Sequence, residues 1–206
     1  MDRAQGLLLD IGGVVLRNAR ELLLDRDVVE PDDVAWQAML RHEVSEPDYW
    51  ADRARFVGTA LGHDTWSTRD LMTWLYHEPG VQLVDADVLE LMVDTSGAGL
   101  ALVALTNDMV DFHGQEWVDA QDWLKHFDTV VDAGITGVHK PDPAAYRLGI
   151  DAVGCPAEQI VFLDDMPWNV AGALAVGLQA IEVRYDDRQA AVAEARRRLG
   201  LAPAGS

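Results

Sequence analysis

Cysteine is almost absent from this chain. The 206 residues hold one, Cys155, so no internal disulfide can form. Its setting, VGCPAE, reads as a helix end followed by a turn, which makes it a packing residue and not an activated nucleophile. Long apolar runs are missing too: no stretch approaches the roughly 18 uninterrupted apolar residues of a membrane span. The opening Met-Asp-Arg-Ala-Gln-Gly lacks the basic start and long apolar stretch of a secretory leader, so a cytoplasmic protein is expected. Positive charge is scarce, with 16 Lys and Arg against 35 Asp and Glu and a formal net charge of -19. That balance repels DNA and acidic lipid, which excludes nucleic acid and membrane surfaces as partners.

What is present suits one packed core with a modest insertion: 49% hydrophobic and 25% charged residues over 206 positions. The stretch LLLDIGGVVL, residues 7 to 16, reads as a first buried strand that ends at Asp10 and runs into a glycine pair. Four more apolar runs follow, LALVAL at 100 to 105, TVVDA at 129 to 133, IVFLDD at 160 to 165 and LQAIEV at 178 to 183. Between and after them, residues 85–95, 115–127, 143–154, 167–177 and 188–200 carry apolar side chains three or four apart, the spacing of helices. Strand alternating with helix predicts an α/β fold, a doubly wound, Rossmann-like parallel sheet with right-handed crossovers.

Residues 17–83 break that alternation. PDDVAWQAMLRHEV, PDYWADRARFVGTALG and STRDLMTWLYHE read as consecutive helices, inserted directly after the first strand. The expected organisation is a core of 1–16 and 84–206 with a helical insertion of 17–83. Four of the seven tryptophans, Trp36, Trp50, Trp66 and Trp74, lie in the insertion and are expected to pack as its own core. Such a Trp-rich unit packs on itself or on a second copy, so monomer and homodimer both stay open. The tail APAGS is expected to be loose.

In doubly wound sheets, ligands sit beyond the carboxyl ends of the strands. Asp10, Thr106 with Asn107, and Asp164 with Asp165 all fall there. Gly12 and Gly13 leave the backbone bare after Asp10, so a tetrahedral anion can approach closely. Thr106 offers a hydroxyl and Asn107 an amide to the same anion. Lys140, in the sequence HKPDP, adds a positive charge on a loop stiffened by Pro141 and Pro143, with Asp142 and Pro143 suited to the cap and first turn of the next helix. Three carboxylates in one pocket cannot all stay ionised without a cation or strongly raised pKa values. A hard divalent ion resolves the conflict, and Mg2+ suits one or two carboxylates plus phosphate oxygen and water.

These residues together resemble the haloacid dehalogenase-like hydrolase superfamily. LLLDIGGVVL is similar to its first motif, LVALTN to its second, KPDP to its third and VFLDDMPWN to its fourth, in order and across essentially the whole chain. The insertion sits where that family keeps a small α-helical cap. The resemblance implies a hydrolase of small phosphorylated metabolites. Asp10 would be the nucleophile that becomes an aspartyl phosphate. Mg2+ would be held by Asp10, the carbonyl of Gly12, Asp165 and, directly or through water, Asp164. Thr106, the amides near Gly13 and Asn107, and the catalytic Lys140 would bind the phosphoryl oxygens. Asn169 matches an asparagine that orders the loop after the acidic pair.

One position departs from the pattern. Most phosphatases of that superfamily place a second aspartate two residues after the nucleophile to protonate the leaving group, and here that residue is Gly12. Acid-base assistance contributes about 100- to 10,000-fold, so the expectation is a slow enzyme or one that favours aryl, acyl or anomeric sugar phosphates. A residue of the cap, a substrate group or water is the alternative source of the proton. Arg17, Asn18, His42 and His63 of the insertion read as ordinary surface or packing residues. Two rival functions remain: a 2-haloacid dehalogenase, which needs no metal, and a non-catalytic protein that binds a phosphorylated metabolite or a protein partner.

Overall fold

The computed structural model describes residues 3–29, 33–77 and 83–203. Five strands form one fully parallel sheet: β1 Gly6–Leu9, β2 Ala101–Thr106, β3 Thr129–Asp132, β4 Ile160–Asp164 and β5 Gln179–Glu182, in the order β3-β2-β1-β4-β5. The first strand is therefore the middle one. Leu8 lies in register with Val103 on one side and Phe162 on the other, so the apolar runs of all three are buried on both faces, as a parallel sheet covered by helices requires.

In chain order the helices are α1 Ala19–Asp25, α2 Val34–Leu40, α3 Glu46–Ala60, α4 Thr68–Tyr76, α5 Ala86–Gly97, α6 Met109–His113, α7 Gln115–Asp119, α8 Ala133–Thr136, α9 Pro143–Val153, α10 Pro167–Ala175 and α11 Arg188–Leu199. Side chains alternate across a strand, and the two layers divide accordingly. Leu7, Leu9, Leu102 and Ala104 face Val88, Leu91 and Met92 of α5 and Val192, Ala195 and Leu199 of α11. Leu8, Val103, Leu105 and Phe162 face Tyr146 and Val153 of α9 and Ala173 of α10. The doubly wound α/β architecture expected from the alternating pattern is the one observed.

The helical stretch between β1 and β2 holds four helices, one more than the sequence pattern suggests, because α1 follows β1 after a short turn. Its Asn18 cap accepts from Arg20 N at 2.8 Å, a start signal at residue 18 that the apolar periodicity alone does not show. Of the four tryptophans, Trp50 is 3% exposed and the other three are half-buried against the same core. Where the chain leaves the sheet and returns, Arg17 N donates to Leu83 O (2.8 Å) and Asp85 N to Val15 O (3.0 Å), a short paired seam.

The predicted helix 115–127 is two pieces, α7 and a 3-10 turn over Asp122–His126. Gln121 breaks it with extended backbone, while its side-chain amide donates back to Trp117 O at 2.9 Å and its oxygen accepts from Trp123 Nε1 at 3.1 Å. Helices α6 and α8, five and four residues long, are too short to show a period. Asp132 organises both, accepting from Val110 N and Gly134 N at 2.9 Å each. Within the APAGS tail, residues 204–206 lie outside the described residues. No helix among the described residues is long and apolar enough to cross a membrane.

Candidate active site at the carboxyl edge of the sheet

Because β1 lies between β2 and β4, the ends of these three strands bring Asp10, Thr106 with Asn107, and Asp164 with Asp165 around one cavity. This is the point where the strand order reverses, the place where such sheets bind ligands. One carboxylate oxygen each from Asp10, Asp164 and Asp165 lies within 4.8 Å of the others.

Lys140 ties two of them together. Its Nζ contacts Asp10 Oδ1 at 2.9 Å and Asp164 Oδ2 at 2.7 Å, with the Lys140 side chain 1% exposed. The ammonium also lies 5.7 Å from the centroid of the Phe162 ring. Burial works to lower the Lys140 pKa, but the two carboxylates outweigh it and hold the group above its usual range. Asp10 Oδ1 also accepts from Ile11 N at 2.7 Å, while Oδ2 has no protein partner among the described residues. The carboxyl is pushed up to about 7, chiefly by burial, with Lys140 opposing and Asp164 adding to the rise.

Asp164 has a different place from the one its sequence position suggests. It is fully buried, and its two oxygens accept from Lys140 Nζ, from Met166 N at 2.9 Å and from Asn169 Nδ2 at 3.1 and 3.2 Å. A carboxylate has about four lone-pair sites. Those of Asp164 are taken, so it anchors Lys140 and the following loop. Asn169 does order that loop, and Tyr146 Oη donates to its carbonyl at 2.8 Å.

Asp165 is the more available member of the pair. Burial first, then repulsion from Asp164, Asp10 and Glu46, raises its pKa well above the usual carboxylate range. Its close approach to β1 depends on Gly13, which has φ +72° and where a Cβ would overlap the Asp165 carboxylate. Gly12 is different: a Cβ there would meet nothing within 4 Å. That space lies along the cavity wall.

Asn107 also departs from expectation. Its side-chain amide does not face an anion: Oδ1 accepts from Lys140 N at 2.8 Å and Nδ2 donates to Lys140 O at 3.1 Å, so it clamps the lysine's peptide unit. Thr106 is 2% exposed and lines the cavity, as do both glycines.

Several residues of the site carry no sequence signal. Asn18 looks ordinary in the sequence, yet its Nδ2 donates to Asp165 Oδ2 at 2.7 Å while its own oxygen caps α1. Arg17 pairs with Glu21 and Asp25, His42 packs on Trp168 and His63 stacks on Trp66, the behaviour of surface and packing residues. Cys155 is free and half-buried, and burial raises its thiol pKa, which suits a packing role. Glu46, Trp50, Met72 and Tyr76 reach the cavity from the helical insertion, and Asp108 and His113 reach it from the segment after β2. The motif TND at 106–108 holds a clue, since Asp108 follows the strand end directly. Glu46 sits one residue after its Ser45 cap, and there an acidic residue is commonplace.

The donor set matches a small hard cation. Asp10 Oδ2 and the Asp165 carboxylate are oxygen ligands without a counter-charge of their own, and both pKa values are raised as expected for buried acids that lack one. The arrangement can hold a cation beside a nucleophilic oxygen, with Lys140 balancing the charge.

Comparison with known proteins agrees with this geometry. Residues 5–177 match the model of a hydrolase family, haloacid dehalogenase-like hydrolase. The chain is 24% identical over 194 residues to (S)-2-haloacid dehalogenase 4A of Burkholderia cepacia, covering 87% of this chain and 80% of that protein. It is 36% identical over 86 residues to phosphoserine phosphatase of Thermus thermophilus, covering 41% of this chain and 34% of that one. The fold is similar to that of a putative HAD-hydrolase of Bacillus subtilis bound to magnesium, with TM-score 0.62, 17% identity and coverage of 88% and 87%.

Proposed function

Because the chain belongs to the haloacid dehalogenase-like hydrolase family, we propose that it is a Mg2+-dependent phosphomonoesterase acting on small phosphorylated metabolites. The observation that supports this most is Asp165, a largely unpaired carboxylate packed against Gly13 and grouped with Asp10 and Asp164. Without a cation, Asp10 carries a proton for much of the time near neutral pH, which weakens it as a nucleophile. Asp10, Asp165 and the carbonyl of Gly12 would hold the ion, which when bound would keep both carboxylates ionised and draw charge from the phosphoryl oxygens.

The residues of the chain supply the rest. Asp10 Oδ2 attacks phosphorus, and the electron pair of the breaking P–O bond leaves with the alcohol oxygen. Lys140, fixed by Asp164 and by the Asn107 clamp on its peptide, holds Asp10 in position and faces the negative charge that gathers on the phosphoryl group. Water then cleaves the aspartyl phosphate. Gly12 contributes no proton, so substrates with weakly basic leaving groups react without help and others require a proton from elsewhere.

Phosphate release from a panel of phosphomonoesters, with and without Mg2+, tests the reading. Release should require the metal and vanish in Asp10→Asn. A second reading, 2-haloacid dehalogenation, is favoured by the similarity to a dehalogenase over 87% of the chain. Chloride release from 2-chloropropionate in the presence of EDTA, with no phosphatase activity, would establish it instead.

A further inference from the structure

Two cavities meet at the inner edge of the helical insertion. The inner one, at Asp10, offers ≈ 60 Å³ to the centre of a water molecule. Beside it runs an outer groove that offers ≈ 500 Å³ on the same measure. Both are lined by Glu46, Trp50, Asn107, Asp108 and Phe112. A phosphorylated compound with its phosphorus at Asp10 has no room for its remaining atoms in the inner space, so its leaving oxygen and the carbon beyond it lie in this shared passage. We propose that Glu46, carried by α3 of the insertion, is the acid that protonates the leaving oxygen, the task for which residue 12 has no side chain. This rests on the phosphomonoesterase reading above.

The local structure fits the task. Glu46 is the first residue of α3 and Trp50 lies one turn on, so the two share a helix face. Trp50 Nε1 donates to Glu46 Oε1 over a long 3.4 Å, which orients the carboxyl and leaves its other oxygen for a ligand. The charged groups facing it from the core are Asp164, Lys140, Asp108 and Asp165. Burial raises the Glu46 carboxyl above the usual glutamate range, which keeps a larger share protonated near neutrality. No heavy atom lies within 4 Å of the position a Cβ would take at Gly12, so no side chain comes between the phosphoryl site and the insertion there.

The step balances. As Asp10 Oδ2 bonds to phosphorus, the P–O bond to the alcohol breaks, its electron pair passes to the alcohol oxygen, and that oxygen takes the Glu46 proton. In the second half, water gives its proton to the Glu46 carboxylate as its oxygen bonds to phosphorus. The bond to Asp10 then breaks, and phosphate and the acid form of Glu46 are restored.

The test compares the full-length wild type with Glu46→Gln and with Glu46→Gln/Gly12→Asp, all with Mg2+. The substrates are 4-nitrophenyl phosphate, phenyl phosphate and glycerol phosphate. Glu46→Gln should lose about 100-fold or more in kcat on glycerol phosphate and under about 10-fold on 4-nitrophenyl phosphate, with KM changed little. The added aspartate at 12 should recover at least about 10-fold on glycerol phosphate alone. A thermal midpoint within a few degrees of wild type confirms that each variant is folded. Equal losses on all three substrates, no loss on any, or an effect confined to KM overturns the proposal while the phosphatase reading stands. A wild type that releases phosphate from none of them overturns both. If Glu46→Gln does not fold, Gly12→Asp in the wild-type background serves: a gain of 10-fold or more on glycerol phosphate shows that no acid was acting, and a gain under about 3-fold supports Glu46.

Discussion

Gly13 and Asp165 occupy space that no other pair of residue types could share: the glycine backbone, at φ +72°, lies where any Cβ would overlap the aspartate carboxylate. Gly13→Ala should therefore push Asp165 away from Asp10 and also strain the backbone by about 1–2 kcal/mol. The expected result is a fall in thermal midpoint of several degrees and loss of at least about 100-fold in Mg2+-dependent activity. Gly12→Ala, into open space, should unfold at the wild-type temperature. Equal behaviour of the two variants would contradict this division of labour.

Lys140 is the only cation among the described residues seen in contact with Asp10 or Asp164. Lys140→Met leaves two buried acids facing each other, and loss of one partner of a buried pair costs about 3–5 kcal/mol. Urea unfolding should show a deficit of that order. Adding Asp164→Asn to Lys140→Met should recover part of the stability and none of the activity. If the single variant is as stable as wild type, Lys140 is not the keystone of the acidic cluster.

The Asp10 carboxyl holds its proton more tightly when folded, with a value of about 7 against 3.8 for the free group. Its contribution to stability is therefore complete below pH 3.8 and is lost as pH rises through about 7. In EDTA, the wild-type midpoint should drop by about 5 °C more between pH 5 and pH 7.5 than that of Asp10→Asn. Mg2+ at pH 7.5 should restore much of the difference in wild type only. Parallel curves for the two proteins would rule out a raised Asp10.

His113 is buried against Trp117, ring centroids 4.3 Å apart, and against Tyr76 at 4.9 Å. Burial first, then His77 and Arg69, lowers its pKa to about 3. A histidine lowered in this way costs stability as pH falls below about 6.5, where the unfolded chain takes up a proton that the folded one refuses. Its NMR ring signals should stay constant between pH 5 and 8, and His113→Gln should flatten the acid-side loss of stability. A titration of His113 near 6.5 would show that it is solvated.

The sheet is legible in the sequence because fully buried parallel strands are continuous apolar runs, and each of the five lies within a residue or two of its run. The strand-end acids are legible for the same reason: a carboxylate such as Asp10 or Asp164 that closes such a run must lie at the rim of the sheet, where ligands bind. Glu46 is not legible, since its meeting with Asp108 depends on how α3 packs over the start of α6, a contact between residues 46 and 108 that no local pattern encodes. For Asn107 and Asp164 the sequence points to the right neighbourhood but not to the right partner. Each side chain has several polar groups within reach, and only the packed structure decides which of them it satisfies.

The central position of β1 also sets the order in which the molecule can be built. Its two neighbours begin at Ala101 and Ile160, so a chain growing from the ribosome exposes Leu7, Leu8 and Leu9 long before the strand that covers their far side exists. A truncated product ending before Ile160 carries the nucleophile but has one flank of its strand unpaired, an adhesive edge open to chaperones or to aggregation. The carboxylate at residue 10 gains its electrostatic surroundings only when Lys140, Asp164 and Asp165 have emerged, which delays assembly of the reactive centre until most of the polypeptide has been made.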